Sequence, residues 1–257
     1  MDYIICRYGE LALKGKNRFL FENKLISNIK ACLEKNNMKY IKITKPPGRI
    51  LIKTNSSCNS LKNIFGLVSF SQAISTNLDL NEIKKIAFKF YKTPPFRIST
   101  QRISKVFMTS QKINEEVGAF IVKKTKAKVN LKNPKTEIGI EIIDNKAYIF
   151  NKKTPCPGGL PVGIAGLVTL LLEDKNSLKA GYLMLKRGCS IEIIKKKNIP
   201  FKSLENYSYG NKINIVKKPS KNSQAIIVSD TLKEIKKRKY KLPIFYPLLV
   251  YPKNETV

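Results

Sequence analysis

The side chains in this sequence that could carry out chemistry are cysteines, lysines and carboxylates, because the 257 residues include no histidine. Histidine is the most common general base and metal ligand, so its absence narrows the choice of reactions. Five cysteines lie far apart and form no CxxC pair: Cys6, Cys32, Cys58, Cys156 and Cys189. Neither a disulfide framework nor a zinc site is indicated, and we expect no bound metal.

Charge is the strongest compositional signal. Lys and Arg number 49 against 18 Asp and Glu, which gives a formal net charge of +31 and favours a polyanionic partner. The hydrophobic fraction of 42% argues against a disordered basic tail. No apolar run approaches the roughly 20 residues that span a bilayer, and residues 1–9 lack the layout of a signal peptide. We therefore expect a folded cytoplasmic protein that does not bind membranes.

Two groups of basic residues are placed where they could contact phosphates. Lys14, Lys16 and Arg18 flank Gly15 at the start of a predicted helix, where backbone N–H groups also point outward. The second group lies at the end of another predicted helix and just beyond it, and consists of Lys123, Lys124, Lys126, Lys128 and Lys132. For both groups the alternative is an ordinary solvated surface.

Three side chains that are not charged also have possible roles in binding or sulfur transfer. Tyr207 and Tyr209 lie in a polar segment and could stack on a base. Cys156 lies between two prolines, where we expect an exposed thiol that could carry a persulfide. Other aromatic residues fall on apolar helix faces and should belong to the core: Phe19, Phe21 and Phe120.

Hydrophobic periodicity predicts a split βαβ arrangement at the start of the chain. The elements assigned there are a strand at 3–8, a helix at 17–35, strands at 40–44 and 49–54, a helical stretch around Leu61 and a strand ending near Ser75. The next elements are a helix from Leu80, a strand at 96–101, a helix at 111–126 and hairpin strands at 137–143 and 147–150. A Pro- and Gly-rich linker follows at 154–163.

Beyond the linker, the pattern is typical of an α/β unit. The assigned elements are a buried parallel strand at 167–172, a helix at 177–186 that ends at Gly188, and strands at 225–228 and 244–250. A loop between a parallel strand and a helix is a common place for a phosphate-binding site.

Four stretches resemble the tRNA 4-thiouridine synthetases, the tRNA sulfurtransferase family that is also linked to thiamine biosynthesis. RYGELALKGKNR (7–18) resembles the ferredoxin-like N-terminal domain of that family, and residues 113–142 resemble its THUMP domain. PGGLPVG (157–163) and AGYLMLKRGC (180–189) resemble the entry to its PP-loop domain. Arg102 and Lys105 match basic positions of the THUMP loop that approaches RNA.

The resemblance implies a fold of α+β followed by α/β class, with three domains. They are a ferredoxin-like N-terminal domain at 1–76, a THUMP RNA-binding domain at 77–153 and, after a linker at 154–166, a reduced PP-loop-like parallel-sheet domain at 167–257. In this family the first two domains recognise the acceptor region of tRNA and its 3′ end. The third domain uses ATP to adenylate a uridine and then installs sulfur.

The PP-loop is where this sequence departs from the family pattern. Intact members carry SGGxDS, whose small residues let backbone N–H groups surround a pyrophosphate. Here the stretch is Glu173, Asp174, Lys175, Asn176 and Ser177, and only Ser177 matches. Like charges 4 Å apart repel by about 4 kcal/mol at an effective dielectric of 20, so the two carboxylates should oppose ATP binding.

Two further departures concern the rest of this domain. Asp230 stands where the family has a glycine, and residues 242–255 are similar to a later strand region. The stretch from Lys195 to Gln224 is short for the region that carries the family's catalytic cysteine, and it contains no cysteine. Cys189 matches a position in the RGC motif at the end of a helix, so we expect it to pack in the core and not to act as the catalytic cysteine.

From these observations we expect a tRNA-binding protein related to the 4-thiouridine synthetases that has no catalytic residue and no cofactor of its own. A separate PP-loop enzyme or a sulfur carrier is a further candidate partner. The main alternative is an active ATP-dependent tRNA sulfurtransferase that uses Lys175, Ser177 and Lys179 in an atypical loop. A third interpretation is a general RNA chaperone or a ribosome-associated factor.

Overall fold

The computed structural model describes residues 2–249, except for the side chain of Ala12. The described chain divides into two compact units according to its internal contacts. The first unit contains the residues up to Arg7 together with 38–58 and 69–155, and the second contains 8–37, 59–68 and the described residues from Cys156 onward. The domain boundaries given above stay predictions.

The first elements in chain order are β1 (Tyr3–Tyr8), 3₁₀ helices at Glu10–Leu13 and Gly15–Asn17, α1 (Arg18–Lys35), β2 (Lys42–Thr44), β3 (Arg49–Lys53), a 3₁₀ helix at Asn59–Asn63, β4 (Leu67–Asn77), α2 (Leu80–Phe90), β5 (Phe96–Arg102), α3 (Ser110–Thr125), β6 (Thr136–Ile143), β7 (Lys146–Phe150) and β8 (Thr154–Pro155). Then follow β9 (Leu167–Leu172), α4 (Asn176–Lys186), β10 (Ser190–Lys195), α5 (Lys202–Glu205), β11 (Asn214–Ile215), β12 (Ser223–Ile227) and β13 (Ile244–Phe245). Across residues 2–249, no helix combines the length and the apolar character needed to cross a membrane.

An eight-stranded sheet is the framework of the first unit. Its strands lie in the order β2-β3-β1-β4-β7-β6-β5, and β8 pairs with β4. The β5–β6 pair is parallel and is connected by α3, whereas β6–β7 is an antiparallel hairpin. Helices α2 and α3 cover this part of the sheet with a core that includes Ile83, Val117, Ile121, Ile138 and Ile140. The α+β class expected for this region is confirmed.

Helix α3 matters for the basic surface because it separates two groups of candidate residues. It begins after Thr109, whose side chain accepts a hydrogen bond from the Lys112 backbone N–H at 3.2 Å. It ends at Lys126, which has a left-handed φ of 56°. Its 16 residues span about 24 Å at the helical rise of about 1.5 Å per residue.

A buried ion network crosses the sheet of the first unit. Glu141 on β6 accepts hydrogen bonds from Arg7 Nε at 2.6 Å and from Arg49 Nε at 2.7 Å. Arg7 Nη1 also donates to Ser71 Oγ at 3.0 Å, and Arg49 Nη2 donates to Gln101 Oε1 at 3.0 Å. One carboxylate therefore neutralises part of the charge of two buried guanidinium groups.

The second unit is built on a parallel sheet with the strand order β11-β10-β9-β12-β13. All four pairings are parallel, and β9 lies at the centre, as expected for its continuous apolar sequence. Helix α4 connects β9 to β10, and its residues Ala180 and Leu185 pack in one core with Leu170, Ile193 and Cys189. The predicted α/β class and the core position of Cys189 are confirmed.

The helical stretch predicted around Leu61 is present as a 3₁₀ helix of 5 residues. Two other predictions about elements are corrected by the structure. Strand β10 is missing from the sequence interpretation, although its residues Ile191 and Ile193 are buried. Of the strand predicted at 244–250, β13 covers only Ile244–Phe245, and Val250 lies outside the described residues with the rest of the segment up to 255.

Three aromatic predictions are also wrong. Phe19 is 54% exposed, because the buried stripe of α1 through Leu25 and Ile29 leaves it roughly a quarter turn to one side. Tyr209 is buried, and Tyr207 packs against the rings of Phe65 and Tyr182. A polar sequence segment therefore contributes one buried aromatic side chain, that of Tyr209, and a partly buried one, that of Tyr207, which packs against a core cluster.

The Pro- and Gly-rich segment is an ordered connection, as predicted. Within it, Gly159 has a φ of 73°, and Leu160 N–H donates to the Lys186 carbonyl at 2.9 Å. A side chain at Gly159 would collide with that same carbonyl oxygen. The glycine is therefore required both by its backbone conformation and by the close approach of the end of α4.

Candidate functional sites

The loop between β9 and α4 is closed by its own side chains. Ser177 is fully buried, and its Oγ accepts hydrogen bonds from the backbone N–H groups of Glu173 at 3.1 Å and Asp174 at 3.2 Å. Asp174 Oδ1 accepts the Ser177 N–H at 2.8 Å. A carboxylate therefore lies at the positive end of α4, where the helix dipole favours an anion. Lys175 and Asn176 are exposed.

Arg238 completes this network from a distant part of the chain. Its Nη1 donates to Glu173 Oε1 at 2.8 Å, and its Nη2 donates to Glu173 Oε2 at 2.7 Å and to Asp230 Oδ1 at 2.6 Å. Asp174 Oδ2 accepts a hydrogen bond from Ser229 Oγ at 3.0 Å. The acidic residues of the loop are thus joined to Arg238 and to the end of β12, whereas the sequence alone indicated unpaired negative charge.

The network shifts the pKa values of two of its charged groups, Asp230 and Arg238. Burial alone would raise the pKa of Asp230, but the hydrogen bonds from Arg238 and from the Lys236 N–H outweigh it and hold that pKa below its usual value. The hydrogen bond to Glu173 raises the pKa of Arg238. The guanidinium of Arg238 thus bridges the carboxylates of Glu173 and Asp230, and Ser229 binds the carboxylate of Asp174.

The candidate RNA-binding residues of the first unit fall into two groups at opposite ends of α3. Arg102 ends β5 and donates to the Phe107 carbonyl at 3.1 Å, and Lys105 is exposed in the loop that leads to α3. At the other end, the exposed residues are Lys123, Lys124, Lys126, Lys128 and Lys132. Between the two groups lies α3, whose 16 residues span about 24 Å.

The three basic residues near the start of α1 belong to the second unit and differ in availability. Lys16 is exposed, and Lys14 Nζ lies 5.2 Å from the centre of the Phe21 ring. Arg18 is engaged internally, since its Nε donates to Glu22 Oε1 at 2.6 Å and its Nη2 to the Tyr8 hydroxyl at 2.9 Å. Lys16 can therefore approach a ligand, whereas the guanidinium of Arg18 is held by Glu22 and Tyr8.

Cys156 does not have the surroundings of a reactive thiol. It is half-buried, which corrects the expectation of an exposed side chain. Burial raises its pKa from 9.0 to about 12, and its Sγ lies 3.6 Å from the Leu61 carbonyl oxygen. Reactive cysteines show the opposite shift.

Comparisons with known proteins identify the family. Residues 3–71 match the model of the ThiI ferredoxin-like domain, and residues 80–151 match the model of the THUMP domain. A probable tRNA sulfurtransferase of Thermococcus kodakarensis is 32% identical over 93% of this chain and 68% of its own length. The chain belongs to the tRNA sulfurtransferase family. The resemblance inferred from the motifs is therefore confirmed.

Other tRNA sulfurtransferases are matched over a smaller share of their length. A probable tRNA sulfurtransferase of Methanobrevibacter smithii is 36% identical over 78% of this chain and 55% of its own length. The chain therefore spans about half the length of several curated tRNA sulfurtransferases that it matches, with 53% for a relative from Moorella thermoacetica.

Solved structures support the same fold for this tRNA sulfurtransferase family member. PH1313 from Pyrococcus horikoshii has a TM-score of 0.88 at 31% identity, with 98% of this chain and 96% of that chain covered. A 4-thiouridine synthetase–RNA complex with bound ATP has a TM-score of 0.70 at 30% identity, with 84% of this chain and 61% of that chain covered.

One residue of the loop network could not be found from the tRNA sulfurtransferase motifs. Arg238 lies in the run KKRKYK (236–241), in which it is the one arginine and every other cation is a lysine. Arginine is the cation that suits two-point binding of a carboxylate. That difference was the only available signal, and it did not reveal that Glu173 is the partner.

Proposed function

We propose that this protein binds tRNA at the acceptor stem and the 3′ end and does not adenylate it. ATP is then not a cofactor of this chain. A separate PP-loop enzyme or a sulfur carrier is its candidate partner in the modification reaction. The observation that carries this proposal is the network around Glu173, Asp174 and Arg238, because it fills the position that the family uses for pyrophosphate.

Binding of RNA is supported by charge and by family membership. The net charge of +31 suits a polyanion, and residues 80–151 match the THUMP model. A neighbouring solved structure is a 4-thiouridine synthetase bound to RNA. In the first unit, seven candidate cations lie at the two ends of α3, a separation that suits contacts with phosphates of an extended nucleic acid.

The residues of the loop do not fit a triphosphate. A phosphate at the start of α4 would need the Ser177 N–H, which already donates to Asp174 at 2.8 Å. It would also lie close to the carboxylates of Asp174 and Glu173, which repel it. The guanidinium of Arg238 already binds Glu173 and Asp230. No step of the reaction is therefore assigned to this loop.

Titration calorimetry with millimolar ATP and its magnesium salt tests the loss of adenylation. We expect no saturable heat, and incubation with tRNA, ATP and a sulfur donor should leave no 4-thiouridine in the digested nucleosides. Clear saturation with ATP together with 4-thiouridine formation by the purified chain would establish the rival, an active tRNA sulfurtransferase.

Binding to RNA is tested separately with tRNA and with a transcript that lacks its 3′ terminal nucleotides. We expect the intact tRNA to bind more tightly, and the affinity for both to fall steeply with salt. Equal affinity for the two RNAs would favour a general RNA chaperone over recognition of the 3′ end.

A further inference from the structure

The crossover between β12 and β13 in the second unit presents its side chains in the reverse of the usual arrangement. Parallel strands are usually connected by an α-helix whose apolar face packs on the sheet. Residues 228–243, all of which the structure describes, contain no helix. The side chain of Arg238 is only 9% exposed, whereas Leu232 and Ile235 are 71% and 53% exposed. The apolar side chains that a crossover normally buries against its sheet are thus left at the surface.

Hydrogen bonds fix the conformation of this segment. The Glu234 N–H donates to the Thr231 carbonyl at 2.9 Å, and the Lys236 N–H donates to Asp230 Oδ2 at 2.8 Å. Two residues further on, the ion pairs of Arg238 anchor the chain. The exposed apolar side chains therefore lie on an ordered segment, so a partner that binds them has little backbone to immobilise.

Positive charge surrounds the exposed apolar side chains. Glu234 is the one exposed carboxylate among residues 231–241, and Tyr240 adds a third large side chain that is 39% exposed. The exposed cations of the same stretch are Lys233, Lys236, Lys237, Lys239 and Lys241. Apolar side chains within a charged rim are typical of a surface that binds another protein.

The charge and the apolar side chains together select the kind of partner. A second copy of this chain carries the same net charge of +31 and would be repelled. Phosphates of an RNA would bind the lysines, but burial of Leu232 and Ile235 requires an apolar surface. A bilayer surface is typically bound by an amphipathic helix, and this segment is not helical. A protein whose apolar side chains are flanked by carboxylates satisfies both features.

We propose that residues 231–241 dock an acidic partner protein, with Leu232 and Ile235 at the centre of the contact and the lysines at its rim. The proposal rests on the proposed function in one respect, since it gives the partner in the modification reaction a place on this chain. Arg238 then has two roles, because it binds the acidic loop and also holds the docking segment in position.

The probe for this surface is a labelled synthetic peptide with leucines on one helix face and glutamates on the other, and fluorescence anisotropy measures its affinity. A polyglutamate peptide of the same length reports the contribution of charge alone. The unmodified chain should bind the leucine–glutamate peptide about tenfold more tightly than polyglutamate. The double variant Leu232→Ser and Ile235→Ser should remove that difference and leave the affinity for polyglutamate unchanged, because no cation is removed.

The matched control replaces two other exposed aliphatic residues of the second unit, Leu13 and Ile215, with Ser. They are 86% and 56% exposed, so the same kind of surface is removed elsewhere. The control variant should bind both peptides within about twofold of the unmodified chain. Urea unfolding of both variants checks that each is folded.

Equal affinity of the double variant and the unmodified chain for the leucine–glutamate peptide would overturn the docking proposal, as would an equal loss in the control variant. A loss of affinity for tRNA in the double variant would also overturn it and would assign the segment to RNA. Dimerisation or binding to phosphatidylserine vesicles that the double variant abolishes would overturn it in favour of a second copy or a membrane surface. Absence of peptide binding to the unmodified chain would overturn the docking surface alone, because the ATP and RNA titrations of the proposed function involve no peptide.

Discussion

Arg238 binds both carboxylate oxygens of Glu173, with its Nη1 2.8 Å from Oε1 and its Nη2 2.7 Å from Oε2. The two residues are 65 positions apart in sequence, and the arginine side chain is only 9% exposed. This two-point contact joins the segment around 231–240 to the end of β9, so the carboxylate of Glu173 has a structural partner within its unit.

Arg238→Met should destabilise the second unit by about 3–5 kcal/mol, because it leaves the buried carboxylate of Asp230 and the partly buried carboxylate of Glu173 without their counter-ion. The free energy of unfolding from urea titration measures the effect. Lys237→Met is the matched control, since Lys237 is exposed, and we expect a change within about 0.5 kcal/mol. Similar values for the two variants would show that the ion pair contributes no stability.

The lowered pKa of Asp230 predicts a loss of stability in acid. The folded-state pKa lies below the usual value of 3.8, so the carboxylate stabilises the folded state above pH 3.8. That contribution should disappear as the pH falls below 3.8 and through the folded-state pKa. In urea unfolding, the difference between the unmodified chain and Asp230→Asn should therefore be largest near neutral pH and shrink in acid. A difference that does not vary with pH would contradict this assignment.

Most of the fold could be predicted because it depends on local patterns. The apolar run of β9 and the helical spacing in α2 and α3 determine their elements, and the predicted bounds agree with the structure to within about two residues. Strand β10 was missed although Ile191 and Ile193 alternate with Ser190 and Glu192, a pattern that is typical of a strand. Glu192 is itself buried and accepts from Thr169 Oγ1 at 2.6 Å, which no local pattern reveals.

The residues of the candidate site could be predicted from the sequence, but the contacts between them could not. The motif comparison located the loop at 173–177, and the basic residues were evident from composition. The pairing of Glu173 with Arg238 depends on the parallel order of β9 and β12, which brings two distant segments together. Likewise, the position of the two basic groups of the first unit on either side of α3 follows from the bounds of that helix, which span about 24 Å.

Glu141→Gln should destabilise the first unit by about 3–5 kcal/mol, because Arg7 and Arg49 would keep their buried charges and lose the one carboxylate between them. Glu137→Gln on the same strand is the control. Its partner Arg97 is 34% exposed and Glu137 is 45% exposed, so that pair should contribute at most about 1 kcal/mol. Chemical unfolding of both variants compares the effects, and an equal loss in the two would refute a special role for Glu141.

Replacing Lys123, Lys128 and Lys132 with Gln should reduce the salt dependence of RNA binding. If each lysine neutralises one phosphate, the slope of log affinity against log salt should become shallower by about 2. The control replaces three exposed lysines elsewhere in the first unit, Lys39, Lys42 and Lys53, and removes the same charge. An equal change of slope in both triple variants would mean that overall charge, and not a surface at the end of α3, governs binding.

Cys156 should react slowly with iodoacetamide at neutral pH. Burial raises its pKa from 9.0 to about 12, which lowers the thiolate fraction about a thousandfold relative to an ordinary thiol. Mass spectrometry of the peptide that contains Cys156 gives the alkylation rate over a range of pH, with a free cysteine derivative in the same solution as the reference. We expect the rate at Cys156 to keep rising with pH after the reference rate has levelled off. A rate at Cys156 equal to the reference at neutral pH would show an accessible thiolate, and the role of sulfur carrier would then return to this chain.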